Sequence, residues 1–110
     1  MKLPNRKNAN ISRKKLTEYL LSGTHTTGRL KAKFFSSIGF DESNSHELEK
    51  LLLTIAQNEK VNQVISSPYG NKYIIEGSVE TLSGKAVKFR TVWIIESKNE
   101  SPRFVTAYPV

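Results

Sequence analysis

The stretch Lys85-Ala86-Val87-Lys88-Phe89-Arg90-Thr91-Val92-Trp93-Ile94-Ile95-Glu96-Ser97 decides the fold. Its odd-numbered residues from Val87 to Ile95 are all β-branched or aromatic, while Lys88 and Arg90 share the other side with Val92 and Ile94. A period of two with this composition specifies a strand that buries one face. Toward the N-terminus, residues 72–81 alternate in the same way, with Tyr73, Ile75 and Val79 on one face, and Ser83-Gly84 between the two runs predicts a tight hairpin. Residues 61–66 read as a shorter strand closed by the turn Ser67-Pro68-Tyr69-Gly70-Asn71. Toward the C-terminus, residues 98–102 read as a turn. Residues 103–108 read as a final strand with Phe104, Thr106 and Tyr108 on one face. Such short connections favour an antiparallel meander over parallel crossovers.

The first half has a helical period. Ser12 is a suitable N-cap, Leu16, Tyr19 and Leu20 share a face, and Gly23 can close the helix. The loop Gly23-Thr24-His25-Thr26-Thr27-Gly28 leads into a second helix ending near Ser37. A third starts near Ser45, with Leu48, Leu51, Leu52 and Ile55 at the i, i+3, i+4, i+7 spacing. The expectation is an α+β fold, about three N-terminal helices packed on a three- or four-stranded antiparallel sheet. A length of 110 residues fits one domain, 1–110. Residues 1–10 contain Pro4, three asparagines and few apolar side chains. They read as a basic extended arm that the fold does not need.

Charge narrows the partner. The net value is +7, and it is lopsided: residues 1–40 carry +8, residues 41–60 carry −3 and the rest +2. Basic residues gathered in one half favour RNA or another polyanion. No apolar run is long enough to span a membrane, no signal-peptide core is present, and cysteine is absent, which fits a cytoplasmic protein without disulfides. There is no phosphate-binding loop, no HxxxH pair and no paired-carboxylate metal site, so neither a cofactor nor a metal is expected. A hydrolase built from this chain would use cations, His or Tyr.

The candidate residues follow from that chemistry. With Leu30 at 0° on a helical wheel, Phe34, Ile38 and Phe35 fall at about 40°, 80° and 140°. Lys31 lies inside this apolar arc at about 100°, and Arg29 and Lys33 are on the opposite face. Lys31 must therefore either snorkel past the aromatics or point into a polar cleft. His25 precedes that helix; an imidazole titrating near neutrality suits proton exchange with a ribose hydroxyl. A lone loop histidine is also a common surface residue. Arg90 and Lys88 share a strand face, and Thr106 and Tyr108 offer hydroxyls on the last strand. Thr and Tyr are equally good strand formers. Trp93, flanked by Phe89 and Ile95, is expected in the core. Arg29, Lys33, Lys88, Arg13 and Lys14 are the candidate nucleic-acid contacts.

Four segments resemble a family of small uncharacterised bacterial domains: Lys2-Leu3-Pro4-Asn5, His25 with Gly28-Arg29-Leu30-Lys31-Ala32, Arg90-Thr91-Val92-Trp93-Ile94, and Pro102-Arg103-Phe104-Val105-Thr106-Ala107-Tyr108. The order of helices and strands is also similar to the barnase–EndoU–colicin–RelE group of ribonuclease toxins. That resemblance implies metal-independent RNA cleavage through attack of the 2′-hydroxyl. It makes His25 and Lys31 the helix-side groups, and Arg90, Thr106 and Tyr108 the sheet-side groups. It further implies an acidic antitoxin or immunity protein, and action in the cytoplasm, including that of a target cell. The alternatives are a non-catalytic nucleic-acid-binding domain and an interaction protein of a toxin–antitoxin or immunity pair.

A polyanion partner has a direct test. Affinity for single-stranded RNA should fall steeply with salt, with a log–log slope of about −0.7 per phosphate contacted. Fluorescence anisotropy across a salt series measures this slope, and an affinity indifferent to salt removes the polyanion reading.

Overall fold

The computed structural model describes residues 1–21, 29–80, 84 and 86–110. Strands β1 (Gln63–Ser67), β2 (Gly70–Glu80), β3 (Ala86–Glu96) and β4 (Asn99–Pro109) form one antiparallel sheet in the order β1-β2-β3-β4. Ahead of it come a π-helix (Lys14–Leu20), α1 (Arg29–Ser37) and α2 (Ser45–Asn58), with short 3₁₀ turns at Arg6–Asn8 and Glu42–Asn44. The fold is α+β with a four-stranded antiparallel sheet. The helices lie mid-chain and do not begin at the N-terminus, because Pro4 and left-handed Asn5 (φ 55°) hold the opening residues out of helical geometry.

The β2–β3 register pairs Tyr73 with Trp93, Ile75 with Thr91 and Gly77 with Phe89. Odd-numbered residues therefore face odd-numbered residues. A two-residue turn at Ser83-Gly84 would instead set Phe89 against Ser78, so that each strand buried the wrong face of the other. The last registered pair is Glu80 with Ala86; most of the expected turn lies outside the described residues. On the buried face, Trp93 donates its indole N–H to Thr91 Oγ1 (2.9 Å), and Thr91 donates its hydroxyl to the Ile75 carbonyl (2.7 Å). Both side chains are fully buried, and this relay leaves neither polar group unpaired. Phe35 packs edge-on against Phe89 at 5.6 Å, and Trp93 against Phe104 at 5.3 Å.

Helix α2 presses Leu48, Leu52 and Ile55 onto this face. It comes so close at Gly77 that a Cβ there would lie 3.0 Å from both Cγ atoms of Ile55. The 3₁₀ turn Glu42–Asn44 that leads into α2 is capped by Asp41, whose carboxylate accepts from the Ser43 N–H, while Asn44 accepts from the Asp41 N–H (2.8 Å each).

Two expectations about the last strand are corrected. β4 begins at Asn99, paired with Glu96, so Ser97-Lys98 alone make the turn and Pro102 lies inside the strand. β4 is the end strand of the sheet, and an edge position tolerates proline's missing N–H. Phe104 also does not share a face with Thr106 and Tyr108. The register steps from Trp93–Phe104 to Val92–Thr106, and Val105 is the extra residue of a bulge. Phe104 turns into the core, while Thr106 and Tyr108 turn to the other side.

Residues 1–10 are not a free arm. Leu3 is fully buried in the core. Val61 donates its N–H to the Met1 carbonyl (2.7 Å), Lys2 bridges Lys60, and Asn10 pairs with Pro102 and Phe104 through backbone hydrogen bonds of 3.0 Å. The segment thus straps the C-terminal end of α2 to β4 and covers the outer edge of β4 near Pro102. Charge and asparagine content suggested solvent exposure, but Leu3, fully buried, decides the placement, and Ala9 packs against the same core. Leu3→Ala should cost about 2–5 kcal/mol, the usual range for a fully buried Leu. Removing residues 1–10 should lower the melting temperature sharply, and chemical and thermal denaturation measure both effects. An unchanged melting temperature would contradict the strap.

Candidate functional site

The helices cover the odd-numbered face of β2 and β3, and the even-numbered face is left partly open to solvent. Lys72, Glu76, Lys88, Arg90 and Ile94 lie there, joined through the β4 register by Arg103, Thr106 and Tyr108. The π-helix runs beside β4 and borders this face. Ser12 Oγ accepts from the Lys15 N–H at its start (3.1 Å), and the i→i−5 bond from Leu21 N–H to the Leu16 carbonyl (3.0 Å) widens its last turn. Leu16 and Leu20 are buried, and Tyr19 is directed to the sheet, its hydroxyl 3.1 Å from Thr106 Oγ1.

Tyr19 is the hub of a polar cluster. The ammonium groups of Lys15 and Lys31 lie 4.9 and 5.8 Å from its ring centroid. Thr106 leads two residues along β4 to Tyr108, and the Arg90 guanidinium lies 5.9 Å from the centre of the Tyr108 ring. Four of the candidate residues, Lys31, Thr106, Tyr108 and Arg90, thus fall in one contiguous run. His25 lies outside the described residues, in the segment joining the π-helix to α1. The two elements it joins contribute Tyr19 and Lys31.

Arg90 is not an isolated cation. Its Nε and Nη2 donate to Glu76 Oε2 at 2.8 and 2.6 Å, and Lys88 Nζ lies 3.4 Å from Glu76 Oε1. The hydrogen bonds from Arg90, aided by Lys88, hold the Glu76 carboxyl below its ordinary range, against a smaller opposing effect of burial. Glu76, then Tyr108, in turn raise Arg90. The other proposed nucleic-acid contacts do not form one group. Lys33, Arg13 and Lys14 are exposed on their helices, Lys88 is exposed beside Glu76, and the Arg29 side chain lies outside the described residues.

The residues not foreseen from sequence are Tyr19, Lys15 and Glu76. Tyr19 reads as part of an apolar helix face with Leu16 and Leu20; its hydroxyl, which needs a partner when half-buried, is the overlooked signal. Glu76 was legible in principle, since odd-to-odd pairing of the two strands sets it opposite Arg90. Next to Tyr19, between the π-helix and the row Lys72–Ile94–Arg103, the surface sinks into a cleft of about 680 Å³. Among the described residues no three His, Cys, Asp or Glu side chains are grouped to hold a metal ion, and no helix is long and apolar enough to cross a membrane.

A domain-family model of unknown function, DUF6883, matches residues 2–110, essentially the whole chain. The chain belongs to this family. The structure of this DUF6883 chain is similar to a chain in a contact-dependent growth inhibition toxin–immunity protein complex from Klebsiella pneumoniae 342. The two share 25% identity with a TM-score of 0.72 over 96% of both chains. No curated protein matches. The likeness therefore extends over the strap, the helices and the sheet together.

The Glu76–Arg90–Lys88 group has a pH dependence with a fixed sign. A carboxyl held below its ordinary value of 4.5 stabilises the fold above that value, and the contribution is lost as pH falls through the lowered one. Wild-type protein should be more stable than Glu76→Gln near neutrality, and the difference should shrink as pH drops below about 4.5. Melting curves of the two proteins from neutral pH into the acid range test this. A constant difference would mean that the pair does not couple to folding.

Proposed function

We propose that this DUF6883 domain is a metal-independent ribonuclease of the bacterial toxin type. The observation that carries the reading is the run Lys31–Tyr19–Thr106–Tyr108–Arg90, which gathers two cations and three hydroxyls along the open sheet face and the helices beside it. The full-length likeness to a chain of a toxin–immunity complex supports it. A net charge of +7 favours the toxin role over the immunity role, because a partner that covers a basic RNA-binding face should be acidic.

In this reading the substrate supplies its own nucleophile. The ribose 2′-oxygen attacks the adjacent phosphorus as His25 takes its proton. The bond to the 5′-oxygen breaks, and Tyr108 gives that oxygen a proton. The products are a 2′,3′-cyclic phosphate and a 5′-hydroxyl end. Lys31 and Arg90 balance the extra negative charge of the phosphorane, normally a large contribution. Thr106, held by Tyr19, fixes the position of a phosphate or ribose oxygen. Glu76 orients Arg90 through two N–H donors. The partner is RNA, with an acidic immunity protein as antagonist, and the place of action is the cytoplasm of a target cell.

A non-catalytic nucleic-acid-binding domain is the second reading. It is favoured by the fact that Glu76 already neutralises Arg90. One experiment separates the two. RNA cleavage should persist in excess chelator, leave 2′,3′-cyclic phosphate ends, and vanish when the sugars are 2′-deoxy or 2′-O-methyl. His25→Ala and Tyr108→Phe should each slow it by about 10²–10⁴ with RNA binding nearly unchanged. Lys31→Met should slow it about thirtyfold while the fold holds, since methionine keeps the apolar stem. Arg90→Ala should weaken cleavage and binding together. RNA binding without cyclic phosphate ends on any RNA tried establishes the non-catalytic reading instead.

A further inference from the structure

The positive charges on the open face are of two kinds. Arg90 and Lys88 are compensated by Glu76, and Arg103 by Glu96. Among the described residues neither Lys14 nor Lys72 is in an ion pair, and Lys15 meets only the neutral ring of Tyr19. These three uncompensated lysines all line the cleft of about 680 Å³ beside Tyr19. Among the described residues Glu18 is the one acidic residue that lines it. The net field for an anion is therefore stronger in the cleft than at Arg90, where the carboxylate of Glu76 must be outcompeted.

The cleft also has the shape and floor of a nucleotide site. The register aligns Lys72, Ile94 and Arg103 in one row across β2, β3 and β4, a cation on each side of an apolar residue. The π-helix forms the opposite wall with Lys14, Lys15 and Tyr19. An apolar floor suits the flat face of a base, and the cations at the rim suit the phosphates on either side of it. Its volume lies within the usual range for pockets that enclose a small organic group. Ile94 and Arg90 are four residues apart on β3, about 13 Å. A single RNA strand laid along the sheet can therefore occupy the cleft and reach Arg90 and Tyr108 within a few nucleotides.

We infer that the cleft between the π-helix and the Lys72–Ile94–Arg103 row is a binding subsite for a nucleotide of single-stranded RNA flanking the reacting one, held by Lys14, Lys15 and Lys72. The inference rests on the RNA reading above and assigns affinity and chemistry to different residues. Lys14, Lys15 and Lys72 supply binding; Lys31, Arg90 and Tyr108 act at the scissile phosphate.

The test uses a fluorescent 2′-O-methyl RNA hexamer, which cannot be cleaved by 2′-oxygen attack, so binding is read independently of activity. Lys72→Gln and the pair Lys14→Gln/Lys15→Gln are compared with Lys50→Gln, an exposed lysine on α2, and melting temperatures confirm that each variant is folded. Each cleft lysine removed should weaken binding by about tenfold and reduce the salt slope by about 0.7. Lys50→Gln should change affinity less than twofold. With cleavable RNA, the cleft variants should raise KM and leave kcat close to wild type. Wild-type binding of the hexamer with no loss in the cleft variants overturns the subsite and leaves the ribonuclease reading standing. Equal losses for Lys50→Gln, or equal affinity for an oligoglutamate of matching charge, overturns it as well, since either marks a diffuse attraction for anions. Loss of binding in the cleft variants of a protein that cleaves nothing upholds the subsite and sinks the ribonuclease.

Discussion

The structure depends on a parity constraint. β2 and β3 each carry their large apolar side chains on odd-numbered residues, and an antiparallel pair buries both sets only if odd residues face odd residues. That pairing puts Trp93 beside Tyr73 and lets Thr91 link the Trp93 indole to the Ile75 carbonyl. It also brings Gly77 under Ile55, so that α2 can lie close to the sheet. The same choice sends every even-numbered side chain to the other face. Glu76 then has no option but to stand opposite Arg90, and Lys72 opposite Ile94.

A second device acts on β4. Without the bulge at Val105, Phe104, Thr106 and Tyr108 would point the same way, and either the core would lose its edge-on partner for Trp93 or two hydroxyls would be buried. One extra residue resolves the conflict, since it reverses the direction of everything after it. Phe104 closes the core, and Thr106 and Tyr108 join Arg90 outside. The π-helix then adds Tyr19 from beside the strand. With Lys31 from α1, the cluster is therefore assembled from four separate parts of the chain, the π-helix, α1, β3 and β4.

Charge on that face is distributed unevenly. Glu76 makes the centre a compact, hydrogen-bonded group in which Arg90 is oriented before any ligand arrives, as preorganised stabilisation of a developing charge requires. The lysines at the cleft lack such partners among the described residues and keep their full attraction for anions. An oriented, compensated centre beside an uncompensated approach is the division of labour that the proposed ribonuclease would use, attracting a long polyanion with one group of cations and acting on one phosphate with another.

The sequence by itself determined the class and order of elements, the length and faces of β2 and β3, the start of α2 near Ser45, and the burial of Trp93. Each of these is a local period or cap that the neighbouring residues specify. It also marked Lys31, Arg90, Thr106 and Tyr108 as groups worth following. It did not reveal the docked N-terminal strap, since Met1, Leu3 and Ala9 are scattered among polar and charged residues and give no period to detect. Nor did it reveal the β4 bulge, which exists only because Trp93 and Val92 must be matched at once. Only the tertiary structure turned Tyr19 from a core residue into the hub of the cluster and gave Arg90 its Glu76 partner. Those contacts join residues from 14 to 87 positions apart, and at such separations the choice of partner is made by packing and register, not by local sequence.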